Sequence, residues 1–291
     1  MGFTMKGITI LGAMLLVLST GAYADNINIK PYSSIQTVKS ISLDSTVQSQ
    51  LQIVLAQDYS NFYKNFEEYA VPYRLKTANA LYYEGRTRNS IAYSAATIYE
   101  DGRIFAATFD KNTNTLRYFT NDASCSTELH PTIKVFAKQF NNPKVLYINS
   151  NKNSALTFNL NQKTNCGSYA TPSIQSKIQV QAATASDQEA AQTIATNIWG
   201  ASIANSWDYN AEVGVVLSQA VEAINTCSAN FSLVPKPPGY GAAPGLSYIG
   251  KYFANILAYI TGVKQSPTYK ACIVTVAANY RTAMEMASLG I

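Results

Sequence analysis

The chain has 291 residues, of which 47% are hydrophobic and only 13% charged, with a net charge of +5. Soluble chains are charged at about a quarter of positions, so Tyr, Asn, Ser, Thr and Gln carry much of the polar role here, a surface chemistry of hydrogen bonds and flat aromatic contact. A positive charge this small and dispersed argues against a nucleic-acid partner.

The first 24 residues read as a cleaved signal peptide. Lys6 supplies the positive start, residues 8–18 a short apolar core, and Ala22-Tyr23-Ala24 the small-x-small pattern before Asp25. The apolar run is about half the length needed to span a bilayer, and no later stretch is long enough either. The expectation is an exported protein, secreted or periplasmic, without a membrane anchor.

Composition divides the rest of the chain in two. Residues 25–177 hold 16 Lys/Arg and 11 Asp/Glu, whereas residues 178–291 hold five and six and are rich in Ala. The division suggests an α+β domain over 25–175 and a helical domain over 187–291, joined through the polar stretch 161–187.

In the first region, Asp44 or Ser45 caps a predicted helix running to about Tyr69, with Val47, Leu51, Val54 and Leu55 on one face and Pro72 at its end. From Arg88 the period changes to two. Residues 91–99 and 103–109 form a hairpin around Glu100-Asp101-Gly102, and residues 116–120 add a third strand to an antiparallel meander. Pro131 opens a second helix carrying Ile133, Phe136, Ala137 and Phe140. A further hairpin pairs 145–148 with 155–160, and Ile174, Ile178 and Val180 could add one more strand. A helix laid on one face of the sheet would bury both apolar faces.

The second region reads as about four helices: 187–205, 211–227, 248–263 and one capped by Ser266 and opened by Pro267, with Gly290 near its end. The proline-rich stretch 234–245 is either a binding loop or a plain connection across the bundle end.

Cys125, Cys166, Cys227 and Cys272 are even in number in an exported chain, so they read as disulfides. The division of the chain favours Cys125–Cys166 and Cys227–Cys272. Close Cys-x-x-Cys spacing is absent, so no metal is expected.

His130 is the single histidine, which excludes two-histidine zinc motifs and leaves one residue for any serine-type triad. Its place beside Pro131 suggests a helix cap. No Gly-x-Ser-x-Gly elbow, phosphate loop, EF-hand pattern or dinucleotide fingerprint occurs, so no cofactor is expected. Carboxylate chemistry on glycans needs only two facing acids, but Glu67-Glu68 and Glu100-Asp101 suit a helix surface and a turn. Tyr82, Tyr83, Arg86, Arg88 and Tyr93 form a candidate recognition surface on a segment joining helix to strand, since Tyr and Arg are enriched at binding hot spots. Asn230-Phe231-Ser232 is a formal glycosylation sequon.

Together these point to a non-enzymatic binding or inhibitor-type factor with an extracellular or periplasmic protein or glycan as partner. The alternatives are a carboxylate-dependent hydrolase of glycan or cell wall, and a membrane-active protein using the apolar helix 248–263.

Overall fold

A computed structural model describes residues 26–149, 152–155, 166, 183–227, 236–240 and 244–291. The proposed signal peptide, most of the compositional boundary, the sequon and residues 156–160 of the expected last hairpin lie outside them.

The chain is an α+β fold organised on one mixed sheet. Short helix α1 (Ile35–Val38) and a 3-10 turn lead into α2 (Ser45–Leu55). Asp44 caps α2, its Oδ1 accepting the Thr46 and Val47 amides at 3.0 and 3.1 Å. The helix expected to reach Tyr69 stops at Ala56, which takes φ 47°. After a 3-10 turn, α3 (Tyr59–Lys64) begins anew, and strand β1 (Glu68–Tyr69) occupies the end of the expected span. The break lays Phe62 and Phe66 on the sheet beside Tyr83.

Strands β2 (Tyr73–Arg74) and β3 (Ala80–Arg86) follow, then β4 (Ala92–Tyr99), β5 (Ile104–Asp110) and β6 (Thr115–Thr120). These last three are the expected meander, with Gly102 at φ 86° in the turn between β4 and β5. Helix α4 (Pro131–Ala137) crosses to β7 (Lys144–Asn149), which pairs parallel to β6, so the sheet is mixed and not wholly antiparallel. β8 (Lys152–Ala155) returns antiparallel to β7. A helical crossover is the usual way to join two parallel neighbours.

The sheet is covered on both faces, not one. Leu81, Tyr83, Ala96, Ile98, Ile104, Ala106 and Phe119 point into a core shared with α1, α2 and α3. Their strand neighbours Tyr82, Ala95, Phe105, Ala107 and Tyr118 point into a second core shared with α4 and the C-terminal helices. The period-two alternation of a strand thus divides β3–β6 between two helical layers.

The C-terminal layer comprises α5 (Ala185–Trp199), short α6 (Ala201–Ala204), α7 (Ala211–Cys227), α8 (Leu246–Val263) and α9 (Pro267–Leu289). The first expected helix is divided at Gly200, which takes φ 88°. α5 packs on α8, and α7 packs on α8 and α9. Ser266 stands at the start of α9, but its side chain makes no capping bond; Gly290 closes α9 in the left-handed conformation. The apolar stripe of α8, including Ile249, Ile256 and Ile260, is buried in the bundle. Among the described residues no helix is long and apolar enough to cross a membrane.

Both expected disulfides are present, Cys125–Cys166 and Cys227–Cys272, with Cα atoms 5.0 and 6.3 Å apart. Backbone bonds also tie the sheet edge to α9 and the chain end: Val71 N–H donates to the Asn279 carbonyl and Lys76 N–H to the Ile291 carbonyl, both at 3.0 Å.

Candidate functional site

Glu84 projects from β3 towards α9 and is 6% exposed. A carboxylate taken out of water needs donors, and three supply them. Tyr82 Oη donates to Glu84 Oε2. Gln139 Nε2 donates to the same oxygen at 3.1 Å, and Thr282 Oγ1 donates to Oε1 at 2.9 Å. Gln139 Nε2 also reaches Thr282 Oγ1 at 2.8 Å, closing the network. Burial raises the Glu84 pKa, while these donors and the nearby Arg86 charge pull the other way. Burial first, and Glu84 second, hold the Tyr82 phenol well above its ordinary value, so it stays a donor.

Gln139 and Thr282 also face an open cleft of about 220 Å³. One wall is the end of α4, with Val135, Lys138 and Gln139. The opposite wall is α6 and the turn after it, with Ser202, Ile203 and Ser206, and α9 contributes Arg281, Thr282 and Glu285. Glu285 is its lining acid, and both oxygens are engaged: Lys138 Nζ lies 3.0 Å from Oε1, and Trp207 Nε1 donates to Oε2 at 2.8 Å. Arg281 has neither hydrogen bond nor ion pair among the described residues. The cleft therefore combines one neutralised ion pair with one uncompensated guanidinium.

His130 is elsewhere, at the start of α4 and 1% exposed. Its Nδ1 lies 2.8 Å from Thr132 Oγ1 and accepts the Thr132 amide at 3.4 Å. That places the proton on Nε2, 2.9 Å from Tyr99 Oη, and the ring stacks on Phe105 with centroids 4.2 Å apart. Burial, helped by the Arg103 charge, lowers its pKa to about 3, so the imidazole is neutral at physiological pH. It is the expected cap, drawn into the core.

The candidate recognition surface does not assemble. The expected connecting segment is an inner strand, β3, and its alternation sends Tyr82 and Tyr83 to opposite faces at 1% and 0% exposure. Arg86 is half-buried between Glu68, at 2.8 Å, and Asn279. Tyr93 packs on Phe109 and Phe140. Arg88 is exposed, its amide held by the Glu67 carboxylate at 2.8 Å. Burial removes the two tyrosines from reach of any partner.

The other candidate acids are also tied locally. Glu68 pairs with Arg86, and Asp101 with Arg103 at 2.7 Å within the hairpin turn. In the proline-rich stretch, Tyr248 Oη donates to the Pro238 carbonyl and Tyr240 packs against Tyr248, which pins that part of the stretch to α8. Among the described residues no cluster of three or more His, Cys, Asp or Glu could hold a metal ion.

The sequence contained no local sign of the cleft. Gln139, Ser202, Arg281 and Glu285 come from three separate helical segments, and only the tertiary packing of α4, α6 and α9 brings them together. Compared with protein-family models, curated protein sequences and solved structures, the chain matches none.

Proposed function

We propose that the mature chain is exported and acts by binding another molecule, an extracellular or periplasmic protein or glycan, and not by transforming it. One observation carries this reading: the groups best suited to acid–base or nucleophilic chemistry are committed to holding the fold. His130 is a buried cap, Glu84 closes a hydrogen-bond network, and all four cysteine sulfurs are in disulfides. The leader-like first 24 residues and two cross-links support an oxidising destination.

The hydrolase alternative requires two acids across a cleft, one free to protonate and one to attack or activate water. Glu285 has both oxygens bonded, and Glu84 lies behind Gln139 and Thr282. Mass spectrometry of the exported product should find Asp25 first and no free thiol. The mature protein should retain a defined surface or periplasmic partner and release no product from a panel of cell-wall and storage glycans. Turnover that vanishes in Glu285→Gln would overturn the binding reading.

A further inference from the structure

The geometry points to the α4–α6–α9 cleft as a site for a small carboxylate-bearing molecule, anchored by Arg281. This goes beyond the macromolecular reading, because a cleft of about 220 Å³ falls below the 300–1,000 Å³ typical of drug-sized ligands. It suits a hydroxy acid or one acidic sugar.

The first argument is charge. Lys138 and Glu285 neutralise each other, and Trp207 occupies the second Glu285 oxygen. Arg281 is left as a lining cation with no ion pair or hydrogen bond among the described residues. A guanidinium presents planar paired donors that match a carboxylate in two parallel bonds, whereas an ammonium would act as a point charge.

The second argument is the rest of the lining. Gln139 spends its amide N–H on Glu84 and Thr282, so its amide oxygen remains an acceptor for a ligand hydroxyl. Ser202 adds a hydroxyl without a partner among the described residues, and Val135 and Ile203 supply apolar wall for a carbon skeleton. Because Gln139 is held from behind by a buried carboxylate, its orientation is set before a ligand arrives, which lowers the ordering cost of binding.

The test uses the full mature protein with glucuronate, glucose and inorganic phosphate as probes. The Trp207 indole N–H, bonded to Glu285, reports the cleft by NMR. Glucuronate at millimolar concentration should shift this signal, while glucose should leave it in place. Arg281→Gln should weaken glucuronate binding about tenfold or more, since a paired charge-assisted contact is removed. Lys270→Gln, the same charge change on an exposed part of α9, should bind as the parent does. Parent-like binding by Arg281→Gln, equal binding of glucose, or tighter binding of phosphate than of glucuronate would each overturn the assignment, as would a Trp207 signal unmoved by glucuronate.

Discussion

The Thr282 hydroxyl donates to Glu84 Oε1 at 2.9 Å, joining residues 198 positions apart in the sequence. With Gln139 from the end of α4 and Tyr82 from the sheet, this bond fastens β3 to α9.

Removing the acceptor should therefore cost more than removing one donor. Glu84→Ala strands the Tyr82 and Thr282 hydroxyls as donors and leaves the Gln139 amide with Thr282 alone, and should lower stability by about 2–4 kcal/mol. Thr282→Val takes away one of three donors and should cost about 1–2 kcal/mol. Urea midpoints of the two variants check the order, and a Glu84→Ala variant as stable as the parent would contradict the network.

The same carboxyl sets a pH dependence. Its pKa in the folded protein is raised above the ordinary 4.5, so the folded chain holds this proton more tightly than the unfolded chain does. The Glu84 contribution is therefore fully present below 4.5 and is lost as pH rises through the folded value. Glu84→Gln has no such titration, and its stability should change less across that window than the parent's.

His130 acts with the opposite sign. The unfolded chain takes up a proton near 6.5, whereas the buried ring resists it until about 3. Stability from this group is complete above 6.5 and falls by a few kcal/mol as pH drops towards 3. His130→Gln should show a shallower acid limb in urea unfolding between these values, although it is less stable at neutral pH through its altered cap.

Gly214 should respond to alanine against the usual helix rule. An exposed helical Gly→Ala change gains up to about 1 kcal/mol. Here an added Cβ would lie 2.5 Å from the Leu246 backbone nitrogen, where α7 meets the start of α8. Gly214→Ala should instead lose about 1–3 kcal/mol from overpacking, read as a lower melting temperature.

The two cross-links close loops of similar length, with sequence separations of 41 and 45. Each should contribute about 2–4 kcal/mol, chiefly by restricting the unfolded chain. Replacing either pair with Ser should lower the urea midpoint by a comparable amount, and adding reductant to the parent should give the sum of the two losses.

Local chemistry made part of this fold legible in the sequence. Glu100-Asp101-Gly102 marked the hairpin because a tight turn needs a positive φ, and Asp44 marked the start of α2 through its side-chain oxygen. The 3.6-residue stripes of α7 and α8 and the pairing of the cysteines were equally readable. Strand β3 was not, because Ala80–Gly85 is buried throughout and shows no apolar–polar alternation; a sheet covered on both sides erases that signal. The break at Ala56 was also hidden, since a positive φ at alanine has no composition cue. For the same reason Tyr82 and Tyr83 resembled a loop surface, and the cleft, built from non-local contacts, left no motif.

The long sequence distance between the sheet and α9 has a consequence for biogenesis. Glu84 on β3 waits for Thr282, which is synthesised 198 residues later. Chain growth from the N-terminus can complete the α1–α3 side early, while the part of the other side that α4 leaves uncovered stays wet and adhesive until α9 emerges. A chain cut short before α9 should accumulate as aggregate, not as a smaller folded protein.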